Sequence, residues 1–434
     1  MQRVQYTWPM MLTTRRNFWV RAFMLLLCAC AKPEWTEEVR ATTPIADWSS
    51  RIDTLAGTYT LLACASEFAD SLLITTDAAE RLIWQTNMRR GTRVSIARSG
   101  NGPGEYQAVG CAARVSRDSV ALLNLQQMRI PIISAVTGRG RTHSIVSHTE
   151  FSGSQLLSAP TVRYSDTIGH LYGAPRYARL RTNGVSGRRD LATLRELDSI
   201  PLVRFSLRDQ RADTIFTLDR GVRTASPFRD ADGVRARPME LGGYGTFNDW
   251  FVTADGILIV ADAVRSSLLV QDLSKEFSPP RKFVLPHTPV SVKPERWSAH
   301  VQWATQRSSA VTQKLTSRVF ASAGMPAPSL GKTRYIIPEM PRFLPAFNFG
   351  DGKRHMHEAD GMLWLPVHVD DAPDSEYWDI IDIKEGKRVG TLALPARHYL
   401  VTVTSRGAYV LAVDDDDVER ILLHHPKSSI GPAN

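Results

Sequence analysis

Two histidines separated by a single residue are the side chains best suited to chemistry. His355 and His357 lie in the stretch His355-Met-His357-Glu358, and residues two apart in an extended strand point to the same side. Two imidazoles on one side can supply two ligands to a metal ion, although a zinc site needs further protein ligands. No third partner is identifiable from the sequence, and histidines beside the turn residues Asp351 and Gly352 are more commonly surface residues. His355 and His357 are therefore candidate metal ligands that lack a third partner.

Two other polar stretches are better explained as turns. The run Asp414–Asp417 offers carboxylates, but consecutive residues point in alternate directions and lack the glycine-spaced pattern of a calcium loop. The glycine-rich stretch from Arg98 to Tyr106 would need a helix directly after it to bind phosphate, and strands are predicted at 111–115 and 120–125 instead. We therefore expect a solvated hairpin turn and a tight connection between strands.

The elements that must position these residues form an internal repeat. A strand-turn-strand unit at Asp70–Trp84 returns 48 residues later at Asp118–Ile132, and its clearest copy runs from Asp255 to Asp272. A period of about 40 to 50 residues made of short apolar strands is typical of β-propellers, because one such sheet cannot bury both of its faces alone. The sequence therefore predicts an all-β fold, a six-bladed β-propeller.

The six predicted blades occupy residues 56–426. The first two contain the repeat just described. The third runs from about Ser158 to Leu218, the fourth over about 245–290, the fifth from Asp360 to Leu394 and the sixth from Tyr399 to His424. Residues between Glu34 and Leu55 are expected to supply the strand that closes the ring, and closure removes exposed sheet edges.

One segment has the periodicity of a helix. From Pro294 the positions of the stripe recur at spacings of three and four, at Trp297, Val301, Ala304, Ser308, Val311, Leu315 and Val319. This spacing predicts an amphipathic helix, and Gly324 and Pro326 would end it. We expect a short helical insertion at about 294–323, which lies either over one mouth of the channel or against the outside of a blade.

The N-terminus predicts export. Residues 1–29 hold four arginines and no acidic residue, and the apolar run Ala22–Ala29 is well short of the roughly twenty residues needed to cross a bilayer. Such a segment is typical of a signal peptide that is removed. Leu27-Cys28-Ala29-Cys30 resembles the bacterial lipobox, and this resemblance implies a mature chain that begins with an acylated Cys30. We therefore expect a protein of the cell envelope, lipid-anchored on the extracytoplasmic side.

The export route is open at the level of sequence. Thr14-Arg15-Arg16-Asn17-Phe18 resembles the twin-arginine motif, which directs folded proteins across the membrane. Arg21 interrupts the apolar run and ordinary signal peptides are also arginine-rich, so the segment favours general secretion and keeps twin-arginine export as the alternative. A start at Met10 or Met11 would give a signal peptide of conventional length.

The mature chain carries a mild positive charge. Of 53 lysines and arginines, the four in residues 1–29 are lost, which leaves 49 against 44 acidic residues, a net charge of +5. A nucleic-acid surface would need clustered basic and aromatic residues, so no nucleic-acid partner is expected. The predicted organisation is a signal peptide over 1–29, a linker and ring-closing strand over 30–55, the propeller over 56–426 and a tail over 427–434.

Only two cysteines remain outside the signal segment. Cys64 and Cys111 each precede the repeated Asp-Ser of their unit by six or seven residues, so they occupy nearly equivalent places in adjacent blades. A disulfide is allowed in an oxidising compartment, but it requires Cα atoms closer than about 7 Å. A bridge between Cys64 and Cys111 and two free thiols are both compatible with the sequence.

Two motifs resemble a known family. The stretch from Asp255 through Asp262 resembles the NHL-type blade, in which Asp-Gly, an apolar strand and Ala-Asp follow in order. The segment Gly102-Pro-Gly-Glu-Tyr106 resembles the Gly-Pro-Gly-Glu-aromatic stretch of a family of bacterial six-bladed propeller lipoproteins with no assigned activity. The resemblance implies a six-bladed propeller lipoprotein and names no substrate.

These features favour a binding function over an enzymatic one. The sequence has no Gly-x-Ser-x-Gly elbow, no His-Glu-x-x-His and no Walker loop. With the lipobox and the blades, this predicts a membrane-anchored binding or scaffold protein for a protein, peptide or glycan partner. The alternative is a metal-dependent hydrolase or lactonase of the same fold.

The alternative rests on how six-bladed lactonases bind metal. They hold calcium or zinc in the central channel with carboxylate and Asn side chains from several blades. Asn248, Asp249 and Asp255 lie near a predicted strand start, where such ligands would be sought, and they are also ordinary turn residues. A pyrroloquinoline-dependent dehydrogenase is a third option, for which no tryptophan-docking repeat is visible.

Overall fold

The fold is that of a mostly β protein with few helices. The computed structural model describes these residues: 42–59, 62–69, 72–77, 80, 82–97, 105, 112–116, 118–122, 129–134, 137, 140–144, 155–158, 161–165, 169–174, 177–179, 199–209, 211–219, 228–229, 235–238, 248–263, 265–275, 278–285, 290–302, 304–306, 333–337, 339–349, 354–369, 376–416 and 418–427. The segment from residue 40 onward forms one compact unit.

Among the described residues, six sheets of four strands or more follow one another along the chain, and each is built mainly as an antiparallel meander. At the N-terminus lie β1 (Thr42–Pro44), α1 (Ile45–Trp48) and β2 (Ser49–Thr54). The first sheet contains β3 (Leu62–Ala69), β4 (Leu72–Asp77), β5 (Leu82–Asn87) and β6 (Thr92–Ala97). The second contains β7 (Ala113–Ser116), β8 (Ser119–Ala121), β9 (Arg129–Ser134) and β10 (Gly140–Ser144).

The third sheet is interleaved with a smaller one. Strands β11 (Gln155–Ser158) and β14 (Tyr177–Arg179) pair with each other. The third sheet contains β12 (Thr161–Ser165), β13 (His170–Ala174), β15 (Ser199–Ser206) and β16 (Arg211–Asp219). A further small sheet joins β17 (Phe228–Arg229) and β18 (Arg235–Pro238) with β23 (Thr333–Ile336), which is parallel to β18.

The last three sheets follow the same plan. The fourth contains β19 (Asp249–Val252), β20 (Ile257–Asp262), β21 (Ser267–Asp272) and β22 (Arg281–Val284). The fifth contains β24 (His357–Ala359), β25 (Met362–Val367), β26 (Glu376–Asp382) and β27 (Lys387–Leu394). The sixth contains β28 (His398–Thr404), β29 (Gly407–Val413) and β30 (Glu419–Pro426).

The N-terminal strands complete the two C-terminal sheets. β2 pairs antiparallel with β30 and becomes the fourth strand of the sixth sheet. β1 runs parallel to β27 at the edge of the fifth sheet. β2 lies within residues 34–55, the strand-prone N-terminal segment.

The internal repeat corresponds to the second and third strands of a sheet. Asp70–Trp84 spans β4 and the start of β5, and Asp255–Asp272 spans β20 and β21. The aspartates that end β4 and β20 fix the turns that follow these strands. Asp77 accepts a 3.1 Å hydrogen bond from the backbone N–H of Glu80, and Asp262 accepts one of 3.0 Å from Arg265. This is the Asx-type turn chemistry that makes aspartate favourable there.

Apolar clusters lie between successive sheets and account for the apolar runs in the strands. Each cluster contains residues from the two sheets that it joins. Examples are Ile83 and Ile133 between the first and second sheets, Ala121 and Leu171 between the second and third, and Tyr172 and Leu258 between the third and fourth. Further examples are Ile259 and Leu363 between the fourth and fifth sheets, Trp378 and Leu400 between the fifth and sixth, and Tyr409 and Leu73 between the sixth and first. Neighbours such as Leu258 and Ile259 point to opposite faces of a strand, so both faces of a sheet are buried.

A helical segment follows the fourth sheet. Residues 294–302 and 304–306 are helical, within the range 294–323 where the spacing predicts a helix. Trp297 and Ala304 pack with Val292 and Leu344 in a small apolar cluster of their own. Within the part of the chain that the structure describes, no helix is long and apolar enough to cross a membrane.

Candidate functional site

The first strands of most neighbouring sheets lie next to one another. Contacts join β3 with β7, β7 with β12, β12 with β19, β24 with β28, and β28 with β3. Because neighbouring strands of each sheet run antiparallel, the first and third strands both begin at the end where the chain enters from the preceding sheet. Side chains at the starts of β19, β24, β26 and β28 are therefore candidates for a common site.

A buried carboxylate links the fourth sheet to the fifth at this end. Asp249 is the first residue of β19, and its Oδ2 lies 3.5 Å from Nδ1 of His355, with the two side chains 6% and 25% exposed. The same oxygen accepts a 3.0 Å hydrogen bond from the backbone N–H of Met356. The carboxylate of Asp249 thus fixes the backbone at Met356 and lies beside the imidazole of His355.

An ion pair within the fifth sheet involves the residue that precedes His355. Nε and Nη2 of Arg354 lie 3.0 Å and 2.9 Å from Oε1 of Glu376, and the side chains are only 13% and 4% exposed. The guanidinium also lies 5.8 Å from the ring centre of Tyr399 in β28, within the range of a cation–π interaction. Arg354 is thus held by the third strand of its own sheet and the first strand of the next.

The two candidate histidines have different neighbours. His355 lies before β24, next to Asp249, whereas His357 begins the strand. The ring centre of His357 is 5.7 Å from that of the buried Trp378. Both histidines are half-buried rather than on the open surface. Among the described residues, no group of three or more His, Cys, Asp or Glu side chains is arranged to hold a metal ion.

The other proposed channel ligands, Asn248 and Asp255, belong to turns. The Oδ1 of Asn248 accepts a 3.0 Å hydrogen bond from the backbone N–H of Ala263 and so fixes a turn. Asp255 is exposed in the turn between β19 and β20, at the opposite end of these strands. There it faces Glu358, whose pKa is raised mainly by burial and further by the negative charges of Asp360 and Asp255.

The cysteine predictions fall largely outside the described residues. Cys64 belongs to β3, the first strand of the first sheet, but its side chain is not among the described parts. Cys30 and Cys111 also lie outside them. The disulfide between Cys64 and Cys111 and the acylation of Cys30 therefore stay predictions.

Sequence analysis missed Arg354, Glu376 and Tyr399. These residues come from three strands or strand starts, and no shared motif or spacing connects them. The available signal was the position of Arg354 directly before His355. Asp249 was singled out only as a turn residue near a strand start, and its proximity to His355 depends on how the fourth and fifth sheets pack.

The site offers hydrogen-bond donors and an aromatic face. Arg354, His355 and Tyr399 are each partly exposed, while Asp249 and Glu376 behind them are buried. Guanidinium, imidazole and phenol groups can donate to carboxylate, carbonyl and hydroxyl oxygens. Glu376 holds the guanidinium of Arg354 in place, which reduces the entropy lost on binding.

Comparisons with known proteins find similarity in structure alone. No family model matches the sequence, and no curated protein is significantly similar to it in sequence. A protein of Bacteroides fragilis proposed to be exported aligns with a TM-score of 0.44 and 12% identity, over 88% of this chain and 98% of that one. A proposed gluconolactonase aligns with a TM-score of 0.41 and 13% identity, over 89% and 98%. The β-propeller domain of Cps50 (Swd1) from Myceliophthora thermophila aligns with a TM-score of 0.34 and 9% identity, over 86% and 98%.

Proposed function

We propose that the protein is an extracytoplasmic six-bladed β-propeller that binds a protein, peptide or glycan partner at one mouth of its channel. The observation that carries the proposal is the cluster at the starts of β19, β24, β26 and β28. There the buried Glu376 pairs with the partly exposed Arg354 beside Tyr399, and the buried Asp249 lies 3.5 Å from His355.

The ring is inferred from how the sheets pack. Each of the six sheets shares an apolar cluster with the next, and the sixth shares one with the first. Six antiparallel sheets that follow one another in this way correspond to the blades of a propeller, whose first strands surround a channel. β2 then closes the ring by pairing with the C-terminal β30.

The chemistry of the cluster suits a partner rich in oxygen acceptors. Arg354 contributes a guanidinium, a group with five N–H donors that suits oxygen acceptors. Tyr399 adds a flat apolar face, a surface used in recognising sugars and peptide side chains alike. An anchor on Cys30 would hold this site in the cell envelope.

Site-specific photo-crosslinking tests the proposal in cells. A benzophenone amino acid placed at Tyr399 should form an adduct of defined mass, and the same probe at Val389 should not, because Val389 lies on the outer strand β27 and is 55% exposed. Protease sensitivity of the adduct would identify a protein or peptide, and periodate sensitivity a glycan. Identical adducts at both positions, or none at Tyr399, would contradict binding at this mouth.

A metal-dependent hydrolase or lactonase is the second candidate. It is favoured by the proximity of Asp249 to His355, since carboxylate and imidazole are both ligands for zinc and the carboxylate also binds calcium. Elemental analysis of the purified mature protein decides between the two. A stoichiometric calcium or zinc ion that is lost in Asp249→Asn would promote the enzyme, and a protein without bound metal would favour the binding function.

A further inference from the structure

An arginine of the first sheet lies between two aromatic rings. Arg93 belongs to β6, and Cζ of its guanidinium lies 4.2 Å from the ring centre of Tyr59 and 4.1 Å from that of Trp84. Its Nη1 donates a 2.6 Å hydrogen bond to the backbone carbonyl of Thr58. Both faces of the guanidinium and one of its nitrogens are therefore held in place.

The other edge of this guanidinium lacks an acceptor among the described residues. Nε and Nη2 of Arg93 are both buried there, and neither has a hydrogen-bond partner. These two nitrogens form an edge with which arginine binds carboxylates. Arg354 shows this use in the same molecule, since its Nε and Nη2 lie 3.0 Å and 2.9 Å from Oε1 of Glu376. Arg93 has the same donor edge without a described carboxylate.

Two further polar groups on the same face of the first sheet are buried without a partner in the described part of the chain. Trp84 and Thr86 are two residues apart in β5 and therefore point to one face. Thr86 lies directly opposite Arg93 in the pairing of β5 with β6. Nε1 of Trp84 and Oγ1 of Thr86 are the atoms concerned, and Thr86 is 0% exposed. An indole nitrogen only donates, and a hydroxyl can donate.

An oxygen anion is the ligand that complements this set of donors. A guanidinium carries its charge at every physiological pH, and a buried charge is costly unless it is paired. A water molecule must also donate its own two hydrogens, and the guanidinium and the indole offer no acceptor. A carboxylate only accepts hydrogen bonds and supplies the opposite charge, so it matches both the donors and the charge of Arg93.

The surroundings of Arg93 favour a small ligand. Gly57 lies directly against the guanidinium, because a Cβ at this position would come within 2.3 Å of Nη1. Gly57 and Thr58 are themselves exposed, so the guanidinium lies one layer of chain below the surface. A small acid has to pass only this layer, whereas a folded protein could not bring a flat surface to the buried Nε and Nη2.

We propose that Arg93 binds the carboxylate of a small organic acid through Nε and Nη2, with Trp84 and Thr86 as further donors. The site lies on β6, the outermost strand of the first sheet, and does not depend on the function proposed for the channel mouth. Tyr59, which covers one face of the guanidinium, donates its backbone N–H to the carbonyl of Glu419 in β30 at 2.9 Å. A bound acid would therefore stabilise the contact between the sixth and first sheets, as any ligand of the folded state does.

Saturation-transfer NMR with sodium acetate tests the inference. The signal of the acetate methyl group is measured on the purified mature protein at constant ionic strength. We expect a saturable signal in the parent protein and at least about tenfold weaker affinity in Arg93→Met, because a buried charged contact is lost. Arg90→Met removes an exposed arginine of the same hairpin and should bind like the parent. No saturable signal in the parent, or equal affinity in Arg93→Met, would overturn the proposal.

Two conservative variants keep the test decisive if Arg93→Met does not fold. Thr86→Val removes the buried hydroxyl at nearly constant volume, and Trp84→Phe removes the indole N–H but keeps an aromatic ring. Each should weaken acetate binding at least about threefold, the loss of one hydrogen bond. Thr92→Val makes the same change at an exposed position of β6 and should bind like the parent.

Competition then identifies the class of anion. Succinate should displace acetate from the parent protein, because it presents the same carboxylate group. Displacement by inorganic phosphate but not by succinate would overturn the assignment to an organic acid. Unchanged affinity in both Thr86→Val and Trp84→Phe would overturn the assignment of the site to this face of the first sheet.

Discussion

Glu419 accepts a 2.6 Å hydrogen bond from the backbone N–H of Leu62, which lies 357 residues earlier in the chain. Glu419 begins β30 and is 5% exposed, and Leu62 begins β3. The bond therefore joins the sixth sheet to the first, where the two ends of the fold meet. Tyr59 reinforces the junction, since its backbone N–H donates to the carbonyl of Glu419 at 2.9 Å.

Removal of this carboxylate should weaken the junction. Glu419→Ala leaves the buried N–H of Leu62 without its acceptor, and we expect the free energy of unfolding to fall by about 1–3 kcal/mol. Urea denaturation at neutral pH measures the loss. Glu385→Ala removes an exposed glutamate from a turn of the fifth sheet and should change stability by less than about 0.5 kcal/mol. Equal effects of the two substitutions would mean that the bond does not hold the junction.

The same junction contains a glycine in contact with an arginine. The guanidinium of Arg93 lies 4.2 Å from the ring centre of Tyr59 and 4.1 Å from that of Trp84. Gly57 has φ of +93°, and a Cβ there would lie 2.3 Å from Nη1 of Arg93. The arginine is thus stacked between two aromatic rings, and a side chain at position 57 would displace it.

Substitution of Gly57 should therefore cost more than backbone strain alone. Gly91 also has positive φ, +63°, but a Cβ there would meet nothing within 4 Å. We expect Gly57→Ala to destabilise by about 1–3 kcal/mol more than Gly91→Ala, as for other overpacked sites. Thermal unfolding of both variants gives the comparison. The gap should close when Arg93 is also replaced by Ala, and a gap that persists would exclude the arginine as its cause.

A buried histidine beside the N-terminal strand β2 should make the stability of the fold sensitive to mild acid. His424 in β30 is 4% exposed, and its Nδ1 lies 3.5 Å from Oγ of Ser49 in β2. Burial lowers the pKa of His424 from 6.5, and the positive charges of His398 and His425 lower it further. The unfolded chain then binds the proton more readily than the folded one, so stability falls as the pH drops below about 7.

Replacement of His424 should reduce that acid sensitivity. Urea midpoints of the parent protein, His424→Gln and Ser49→Ala are compared at about pH 7.5 and about pH 5.5, on either side of the unperturbed histidine pKa. We expect the midpoint of His424→Gln to fall less between the two values. Ser49→Ala keeps the titrating group and should fall as much as the parent. If the urea midpoint of His424→Gln falls as much between the two pH values as that of the parent protein, other groups cause the acid sensitivity.

Variants of the Arg354–Glu376 pair should distinguish an effect on stability from an effect on binding. Arg354→Met leaves the buried carboxylate of Glu376 without its guanidinium, and we expect a loss of about 2–3 kcal/mol, with allowance for the partial exposure of Arg354. Arg354→Met/Glu376→Met replaces both charges by apolar side chains and should recover most of that stability.

Partner capture then distinguishes a binding role from a purely structural one. With the benzophenone probe at Tyr399, both Arg354 variants should give at least about tenfold less adduct, the loss expected when a charged hydrogen-bonding contact is removed. If the stable double variant crosslinks like the parent protein, Arg354 serves the fold alone.

Acylation at Cys30 is tested by fractionation. Cys30→Ser should move most of the protein from the membrane to the soluble fraction at high salt, because the acyl chain supplies the apolar anchor. Cys28→Ser leaves the acylated position intact and should remain with the membrane. Retention of Cys30→Ser in the membrane fraction at high salt would contradict a lipid anchor on this cysteine.

The sequence predicted strands where periodicity is strong and failed where pairing depends on distant chain segments. β20 and β21 were identified from their apolar runs and the turn aspartate Asp262. β24 has only three residues, His357–Ala359, all half-buried, so no apolar pattern marks it. The small sheet of β17, β18 and β23 was missed because β23 pairs with a segment almost one hundred residues earlier.

The candidate site was predicted only in fragments for a related reason. Asp249 and His355 were each noted, but their contact is created by the packing of the fourth sheet on the fifth. Arg354 and Glu376 lie at the starts of two different strands of one sheet. No periodic pattern in the sequence relates two such positions. Local patterns report which face of an element is buried, and they carry no information on which charged groups meet where elements converge.

The pairing of β2 with β30 sets the order in which the molecule can be completed. The sixth sheet takes its outer strand from residues 49–54 and its other strands from residues 398–426. β2 is therefore synthesised long before its partner β30, and such non-local pairing folds slowly. A chain that ends before β30 leaves β2 with an unpaired edge, which favours aggregation. Chains that lack β30 should therefore aggregate more readily than chains that contain it.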